Sequence, residues 1–150
     1  MIHDPFRNET FAAVAGQGAT LNGSPMHVSA ETDVGAATVA TGTGPSLAAA
    51  QPTVRGIGAL LALPVRTVRM LGSAAIMFAW VACGRLTAYV EVDLNSWDHA
   101  AGAVLVREAG GYISDLDDSL CVALPLVLGC RATVVVQTAS PAGMTAMKAT

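Results

Sequence analysis

The sequence predicts an α/β fold of layered sheets and helices. Short β-type runs alternate with alanine-rich helical runs, glycine and proline separate them, and 53% of the residues are hydrophobic. Strands that alternate with helices bury their apolar faces against one another in layers. At 150 residues the chain has the length of one domain, so residues 1–150 are expected to form a single unit.

The first part of the chain is predicted to be a meander of strands. Residues 9–21 contain a short alternating apolar run, and Asn22-Gly23 is a turn signal. Residues 36–41 predict a further strand, which the loop from Thr41 to Pro45 ends. No element precedes the first strand, so we expect the beginning of the chain to be cut.

The second part of the chain is predicted to alternate helices and strands. A weakly patterned helix covers residues 46–61, with Pro52 and two glycines interrupting it. The further predicted elements are a strand at 65–70, a helix at 71–84 closed by Gly84, a strand at 86–92, a helix capped by Ser96 and stopped at Gly110, a strand at 112–116, a turn at 117–119, a strand at 131–138 and a last helix from Pro141. Helical spacing in the helix after Ser96 falls on Trp97, Ala101, Val104, Leu105 and Glu108.

Composition excludes several classes of protein. The mean hydropathy of +0.52 is high, but the longest apolar run, residues 74–83, is far shorter than the roughly 20 residues of a membrane span. The N-terminus has charges where a secretory signal is apolar, so we expect a cytoplasmic protein without membrane contact. A net charge of −3 with scattered basic residues predicts no direct nucleic-acid binding.

The cysteine pattern predicts neither disulfides nor a zinc site. Cys83, Cys121 and Cys130 are odd in number and lack metal-ligand spacing, so we interpret them as small buried hydrophobes. His3 and His27 are interpreted as surface groups, and Met70, Met77 and Trp80 as core residues.

Three acidic residues within eight positions demand an explanation in so apolar a chain. Glu91, Asp93 and Asp98 precede an alanine-rich helix, and a buried carboxylate is costly unless something pairs with it. Asp98 in the first helical turn would be held ionised by free backbone N–H groups. Such a residue is either a helix cap or a ligand for a hard cation such as Mg²⁺, and spacing alone favours the cap. Glu91 could face the same crevice, beyond the carboxyl end of its strand.

A family resemblance favours the cation-ligand role of Asp98 over the capping role. Trp97-Asp98-His99-Ala100-Ala101-Gly102 followed by Glu108-Ala109-Gly110-Gly111 resembles the C-terminal signature of the inositol monophosphatase family. The segments at 3–23 and 124–141 also resemble that family, so the resemblance covers nearly all of the chain. It implies the C-terminal half of a layered α/β sandwich and a magnesium-dependent hydrolase that acts on a small phosphorylated polyol.

The resemblance also implies site residues. Asp98 would be a Mg²⁺ ligand, Glu91 would hydrogen-bond substrate hydroxyls, and Ser73 and Ala74 would contact the polyol. No catalytic base is assigned, because His99 in a first helical turn is expected to be solvated. Trp97 is expected to pack beneath the metal crevice and to fix the start of the helix.

One part of the family pattern is missing from this sequence. The upstream glutamate and the Asp-Pro-(Ile/Leu)-Asp-Gly-Thr motif, which supply most of the metal ligands, do not occur; His3-Asp4-Pro5 lacks the second half, and Asp115 to Asp118 are expected to form a surface turn. We therefore expect little or no activity from this chain alone. The alternative is a non-catalytic binding or interaction module, since some bacterial relatives engage the transcription machinery. Unpaired strand edges would also favour a homo-oligomer.

Overall fold

The computed structural model describes residues 1–43, 47–114 and 132–137. Its strands are β1 (Ile2–Asp4), β2 (Glu9–Ala13), β3 (Ala19–Leu21), β4 (Ser24–Pro25), β5 (Thr38–Thr41), β6 (Thr67–Met70), β7 (Ala88–Leu94), β8 (Tyr112–Ser114) and β9 (Ala132–Gln137). Its helices are α1 (Leu47–Ala62), α2 (Ala74–Ala82) and α3 (Ser96–Glu108), with a 3-10 turn at Val34–Ala36. The predicted α/β class is confirmed.

The first sheet is the predicted meander. Its strands follow one another in the order β1-β2-β3-β4, and each neighbouring pair is antiparallel. Asn22 and Gly23 connect β3 to β4 with φ values of 50° and 81°. A two-residue hairpin turn with positive φ at both positions favours the Asn-Gly pair, which explains why this pair predicted the turn.

The second sheet has the order β6-β5-β7-β9-β8. Its first three strands are parallel, while β9 runs antiparallel to both β7 and β8. The crossover helices α1 and α2 connect the parallel strands, as parallel pairing requires. The carboxyl ends of β5, β6 and β7 therefore meet at one edge of this sheet.

Among the described residues, two apolar cores separate the layers. Val39 of β5 and Ala88 of β7 pack with Leu60 of α1, whereas the next residues along each strand, Ala40 and Tyr89, belong to a larger core. That larger core also contains the buried faces of α2 and α3 and the inner face of the first sheet. Side chains alternate across a strand, so the order of layers is α1, second sheet, α2 with α3, and first sheet.

The structure confirms some of the predicted helix features and burial and corrects others. Helix α1 runs without a break through the predicted interruptions, and its buried Thr53 and Leu60, seven residues apart, face inward. Gly84 ends α2 with a φ of 76°, as predicted. Met77 is buried as expected, but Met70 is 54% exposed because β6 is an edge strand whose end faces solvent.

Other predictions concern residues 115–131 and 138–150, which the structure does not describe. The turn at 117–119, the last helix from Pro141, Cys121 and Cys130 lie outside the described residues. Cys83 is a free, half-buried thiol packed against the larger core. Among the described residues, none of the helices combines the length and the apolar character that crossing a bilayer requires.

Candidate functional site

The candidate site lies at the edge of the second sheet where its parallel strands end. Gly42 follows β5, Ser73 lies just beyond β6, and Glu91 lies on β7 one residue past the pair Thr41–Val90. Ligands of α/β proteins bind beyond the carboxyl ends of such strands. Helices α2 and α3 both begin at this edge, so the topology brings the four sequence-predicted site residues, Asp98, Glu91, Ser73 and Ala74, to one side of the molecule.

Asp98 is fixed by the start of α3. The N-cap is Asn95 rather than the predicted Ser96, which makes Asp98 the third residue of the helix. Its Oδ2 accepts hydrogen bonds from the Asn95 backbone N–H at 3.0 Å and from Asn95 Nδ2 at 3.3 Å. A carboxylate at this position that bonds back to the N-cap is one half of a capping box. The capping role is therefore present, and the carboxylate is half-buried at the start of α3.

Glu91 is a buried carboxylate with a buried partner. It is only 8% exposed, and the Tyr89 hydroxyl donates a hydrogen bond to its Oε2. Burial raises the pKa of the Glu91 carboxyl, the Tyr89 hydrogen bond lowers it in part, and the nearby Asp98 charge raises it further. Burial together with Glu91 raises the pKa of Tyr89, so this hydroxyl remains a donor. The Asp98 charge therefore acts on the Glu91 carboxyl.

Gly42 leaves room for this carboxylate. A Cβ atom built on Gly42 would lie 2.1 Å from Glu91 Oε2 and 2.4 Å from Cδ. No side chain other than hydrogen fits in that space. The loop after β5 and the carboxylate on β7 therefore depend on each other for their positions.

A β-bulge separates Glu91 from the start of α3. Glu91 pairs with Val134 and Leu94 with Ala132, so β7 carries one more residue than β9 between these pairs. Asp93 lies in this bulge with a φ of 65°, a conformation that non-glycine residues rarely adopt. Bulges of this kind bend a strand and redirect side chains near functional sites. Here the bulge sets the direction in which the chain leaves β7 for α3.

Ser73 and Ala74 begin α2 at the same edge. Ser73 is the N-cap, and its hydroxyl accepts a hydrogen bond from the Ile76 N–H at 3.4 Å. Ser73 is exposed and Ala74 is half-buried, so both are at least partly accessible to solvent.

Two neighbours of Asp98 lie differently from the sequence prediction. Trp97 is 73% exposed instead of packed beneath the crevice, and His99 is 6% exposed instead of solvated. The buried residues of α3 recur at helical spacing on one face: His99, Gly102, Ala103, Leu105 and Val106. Trp97 falls off this face and His99 falls on it, which corrects the predicted phase of the helix. Burial lowers the pKa of His99, with Asp98 opposing, and its Nδ1 has no partner among the described residues.

The described residues do not fit a complete metal centre. Across residues 1–43, 47–114 and 132–137, no three His, Cys, Asp or Glu side chains converge on one point. Mg²⁺ takes oxygen ligands and is commonly held by one or two carboxylates together with water and substrate phosphate. Asp98 supplies one such carboxylate, but one of its oxygens already accepts two hydrogen bonds. Among the described residues, Asp98 is thus a single candidate ligand and not a complete cation site.

Sequence reasoning gave no role to three residues, of which Tyr89 and Gly42 lie at the candidate site and Glu108 lies at the far end of α3. Tyr89 lies two positions before Glu91 on a strand, and the period of two could have placed both side chains on one face. Gly42 carries no such signal, because its role depends on the pairing of β5 with β7. Glu108 accepts hydrogen bonds from the N–H groups of Gly16 and Gly18, both at 2.9 Å, and so ties α3 to the turn between β2 and β3.

The glycines of the Glu108–Gly111 segment have structural roles. Gly110 ends α3 with a φ of 86°. A Cβ on Gly111 would approach the side chains of Val106 at 2.7 Å and Val28 at 2.8 Å. The Glu108–Gly111 part of the signature therefore joins α3 to the first sheet. The part that starts at Trp97 lies at the start of α3, next to the candidate site.

Known proteins resemble this chain over most of its length. The model of the inositol monophosphatase family matches residues 1–148. The chain is 43% identical over 116 residues to Nus factor SuhB of Xylella fastidiosa and 40% identical over 118 residues to inositol monophosphatase 3 of Solanum lycopersicum. Each alignment covers 77% of this chain but only 42% and 44% of the respective relative. The chain thus spans less than half the length of these curated relatives.

Solved structures share the fold. The inositol monophosphatase from Anabaena (Nostoc) sp. PCC 7120 superimposes with a TM-score of 0.82 at 30% identity, covering 98% of this chain and 56% of that one. The extragenic suppressor protein SuhB from Bartonella henselae superimposes with the same TM-score, 0.82, at 26% identity and covers 97% of this chain and 53% of that one.

Proposed function

Because the chain belongs to the inositol monophosphatase family, we propose that it forms the C-terminal, substrate-facing part of a magnesium-dependent phosphomonoesterase. The reaction would convert an inositol phosphate into inositol and phosphate. The observation that supports this best is the placement of two carboxylates, Glu91 on β7 and Asp98 in the first turn of α3, at the edge where the parallel strands end. The likeness to inositol monophosphatase 3 supports the same substrate class.

The proposed roles follow from the surroundings of each side chain. Asp98, held by Asn95 but half-exposed, would contribute one oxygen to Mg²⁺, which supplies charge stabilisation for phosphoryl transfer when it is bound. Glu91 would accept a hydrogen bond from a polyol hydroxyl. Ser73 and Ala74, at the first turn of α2, would line the same pocket.

We further propose that this chain alone does not turn over substrate. The described residues supply one carboxylate where the chemistry needs several ligands, and the sequence lacks the acidic motif expected of the family. Each tenfold loss in rate corresponds to about 1.4 kcal/mol of transition-state stabilisation. An incomplete cation site would remove several such factors of ten.

Phosphate release from inositol 1-phosphate across a Mg²⁺ titration tests this proposal. We expect the chain and its Asp98→Asn variant to release no more phosphate than buffer, while calorimetry detects Mg²⁺-dependent binding of inositol 1-phosphate that Glu91→Gln weakens. Asp33→Asn is the matched control, because Asp33 is exposed and precedes the opposite end of β5. Turnover that Asp98→Asn abolishes would contradict the proposed inactivity. Absence of any binding would contradict the proposed substrate-facing role of this chain.

The second candidate function is a non-catalytic interaction module. Curated relatives at 42% and 43% identity, from Escherichia coli and Xylella fastidiosa, carry the name Nus factor SuhB, which favours a partner in the transcription machinery. Titration of fluorescently labelled chain with purified RNA polymerase tests this candidate. Saturable binding that Asp98→Asn leaves unchanged would support it, and no binding would leave the phosphatase proposal as the better one. A cytoplasmic location suits both functions, and direct nucleic-acid binding is expected in neither.

A further inference from the structure

Tyr89 connects the candidate site to the core of the molecule. Its side chain is fully buried, and its ring meets the Phe78 ring edge-to-face with centroids 5.1 Å apart and an interplanar angle of 85°. Phe78 is itself fully buried between α2 and α3. The ring is therefore packed on its core side, and its hydroxyl donates a hydrogen bond to Glu91 Oε2.

Gly42 restricts the orientation of the Glu91 carboxyl group from a second side. The carboxyl group lies against the Cα of Gly42, where an added Cβ would come within 2.6 Å of both oxygens. A carboxylate has about four acceptor positions on its two oxygens, and a buried one stays in place only when its partners define its orientation. Tyr89 occupies Oε2 from the core side and Gly42 limits rotation from the loop side.

We propose that Tyr89 is a positioning residue for polyol recognition: it holds Glu91 Oε2 so that Oε1 is left to accept a hydrogen bond from one substrate hydroxyl. This inference rests on the proposed function, in which Glu91 binds the polyol. A site that hydrogen-bonds a substrate hydroxyl discriminates strongly against analogues that lack this hydroxyl. This discrimination requires that the polar groups of the site are held in fixed positions. Tyr89 would thus act through Glu91 and would not touch the substrate.

The test compares Tyr89→Phe, Glu91→Gln and the double variant with the unmodified chain. Affinities for inositol 1-phosphate and for phenyl phosphate, which has no polyol hydroxyl, are measured at fixed Mg²⁺, and their ratio gives the polyol preference. Carboxyl ¹³C NMR follows Glu91 in parallel, with its signal assigned by Glu91→Gln. The titratable groups acting on Glu91 are Tyr89 and Asp98.

We expect Tyr89→Phe to lower the polyol preference by up to about tenfold, because a Glu91 carboxyl that is not held in place loses part of its hydrogen bond to the substrate hydroxyl. Losing the donor should also move the Glu91 titration midpoint upward, because the hydrogen bond stabilises the ionised form. In the Glu91→Gln background Tyr89→Phe should have no further effect on the preference. Circular dichroism melting verifies that all variants are folded.

Three results would overturn the inference. An unchanged polyol preference in folded Tyr89→Phe would exclude a positioning role, and an unmoved Glu91 signal would exclude the hydrogen bond itself. Additive effects in the double variant would show that Tyr89 does not act through Glu91. If the unmodified chain shows no polyol preference, the proposed function fails, whereas a Glu91 signal that responds to Tyr89→Phe would still support Tyr89 as the group that holds this carboxylate.

Discussion

At Gly42 a single methyl group decides whether the Glu91 carboxylate can keep its position. The Cβ of Gly42→Ala would lie 2.1 Å from Glu91 Oε2, so either the carboxyl group or the loop after β5 must move. We expect the Glu91 carboxyl ¹³C signal to shift and the polyol preference to fall, with the fold retained. Gly58→Ala is the control, because an added Cβ there meets nothing within 4 Å. An unmoved Glu91 signal in Gly42→Ala would contradict the proposed restriction.

Side-chain chemistry predicted some of these residues and not others. A carboxylate just inside a helix start is recognisable from spacing, so Asp98 could be placed in the first turn of α3 without a structure. The environments of Trp97 and His99 could not be inferred from their polarity. They depend on which face of α3 meets α2 and the first sheet, and the small residues Gly102 and Ala103 mark that face more reliably than the tryptophan does.

Helices α2 and α3 approach closely because α3 carries a glycine at their contact. A Cβ on Gly102 would lie 2.3 Å from Cγ and 2.4 Å from Cβ of the fully buried Phe78. Gly102→Ala is therefore expected to destabilise the protein by about 1–3 kcal/mol, because a filled core must shift to accept the methyl group. Urea denaturation measures this change.

Gly56→Ala, also within a helix but with open space around the added Cβ, is the matched control for Gly102→Ala. It should be neutral or stabilising by up to about 1 kcal/mol, from helix propensity alone. Equal effects of the two substitutions would show that the contact with Phe78 does not limit the approach of the helices.

Glu108 joins α3 to the turn between β2 and β3, and this joint should depend on pH. The N–H groups of Gly16 and Gly18 hold the pKa of the Glu108 carboxyl below its ordinary 4.5. The lowered pKa means that the stabilisation is complete above about pH 4.5 and is lost as the pH falls through the lowered value. Glu108→Gln should lower the melting temperature near neutral pH, and the difference from the unmodified chain should shrink in acid.

Asp33→Asn serves as the control for Glu108→Gln. It removes the same charge but keeps a side-chain oxygen for the Gly35 N–H, which Asp33 holds at 2.8 Å. Melting curves near pH 7 and near pH 3.5 are compared for all three proteins. A difference for Glu108→Gln that is the same at both pH values would show that the ionised carboxylate is not what holds the turn.

At the scale of the whole molecule, the layered α/β class was predictable from the sequence, but the order and pairing of the strands were not. Alternating periodicities and the Asn22-Gly23 turn identify strands and helices locally. The order β6-β5-β7-β9-β8, and with it the meeting of Gly42 and Glu91, results from pairing between distant segments that no local pattern specifies. The continuity of α1 is a similar case, since Leu60 is buried in a core with residues of β5 and β7, a contact that the local sequence does not reveal.

The exposed apolar face of α1, the outer helix layer, leads us to expect self-association. Val54, Gly58 and Leu61 lie on one face of α1 at four- and three-residue spacing, and Val54 and Leu61 are 69% and 65% exposed. An apolar helix face left in water favours association, because burial of each such side chain contributes about 1.5–3 kcal/mol. We expect light scattering after size exclusion to give a mass that rises with protein concentration. The double variant Val54→Ser with Leu61→Ser should shift the mass toward the monomer, while Ala62→Ser, a similar change at an exposed neighbour, should not. A single monomeric mass at every concentration would show that this face remains in solvent.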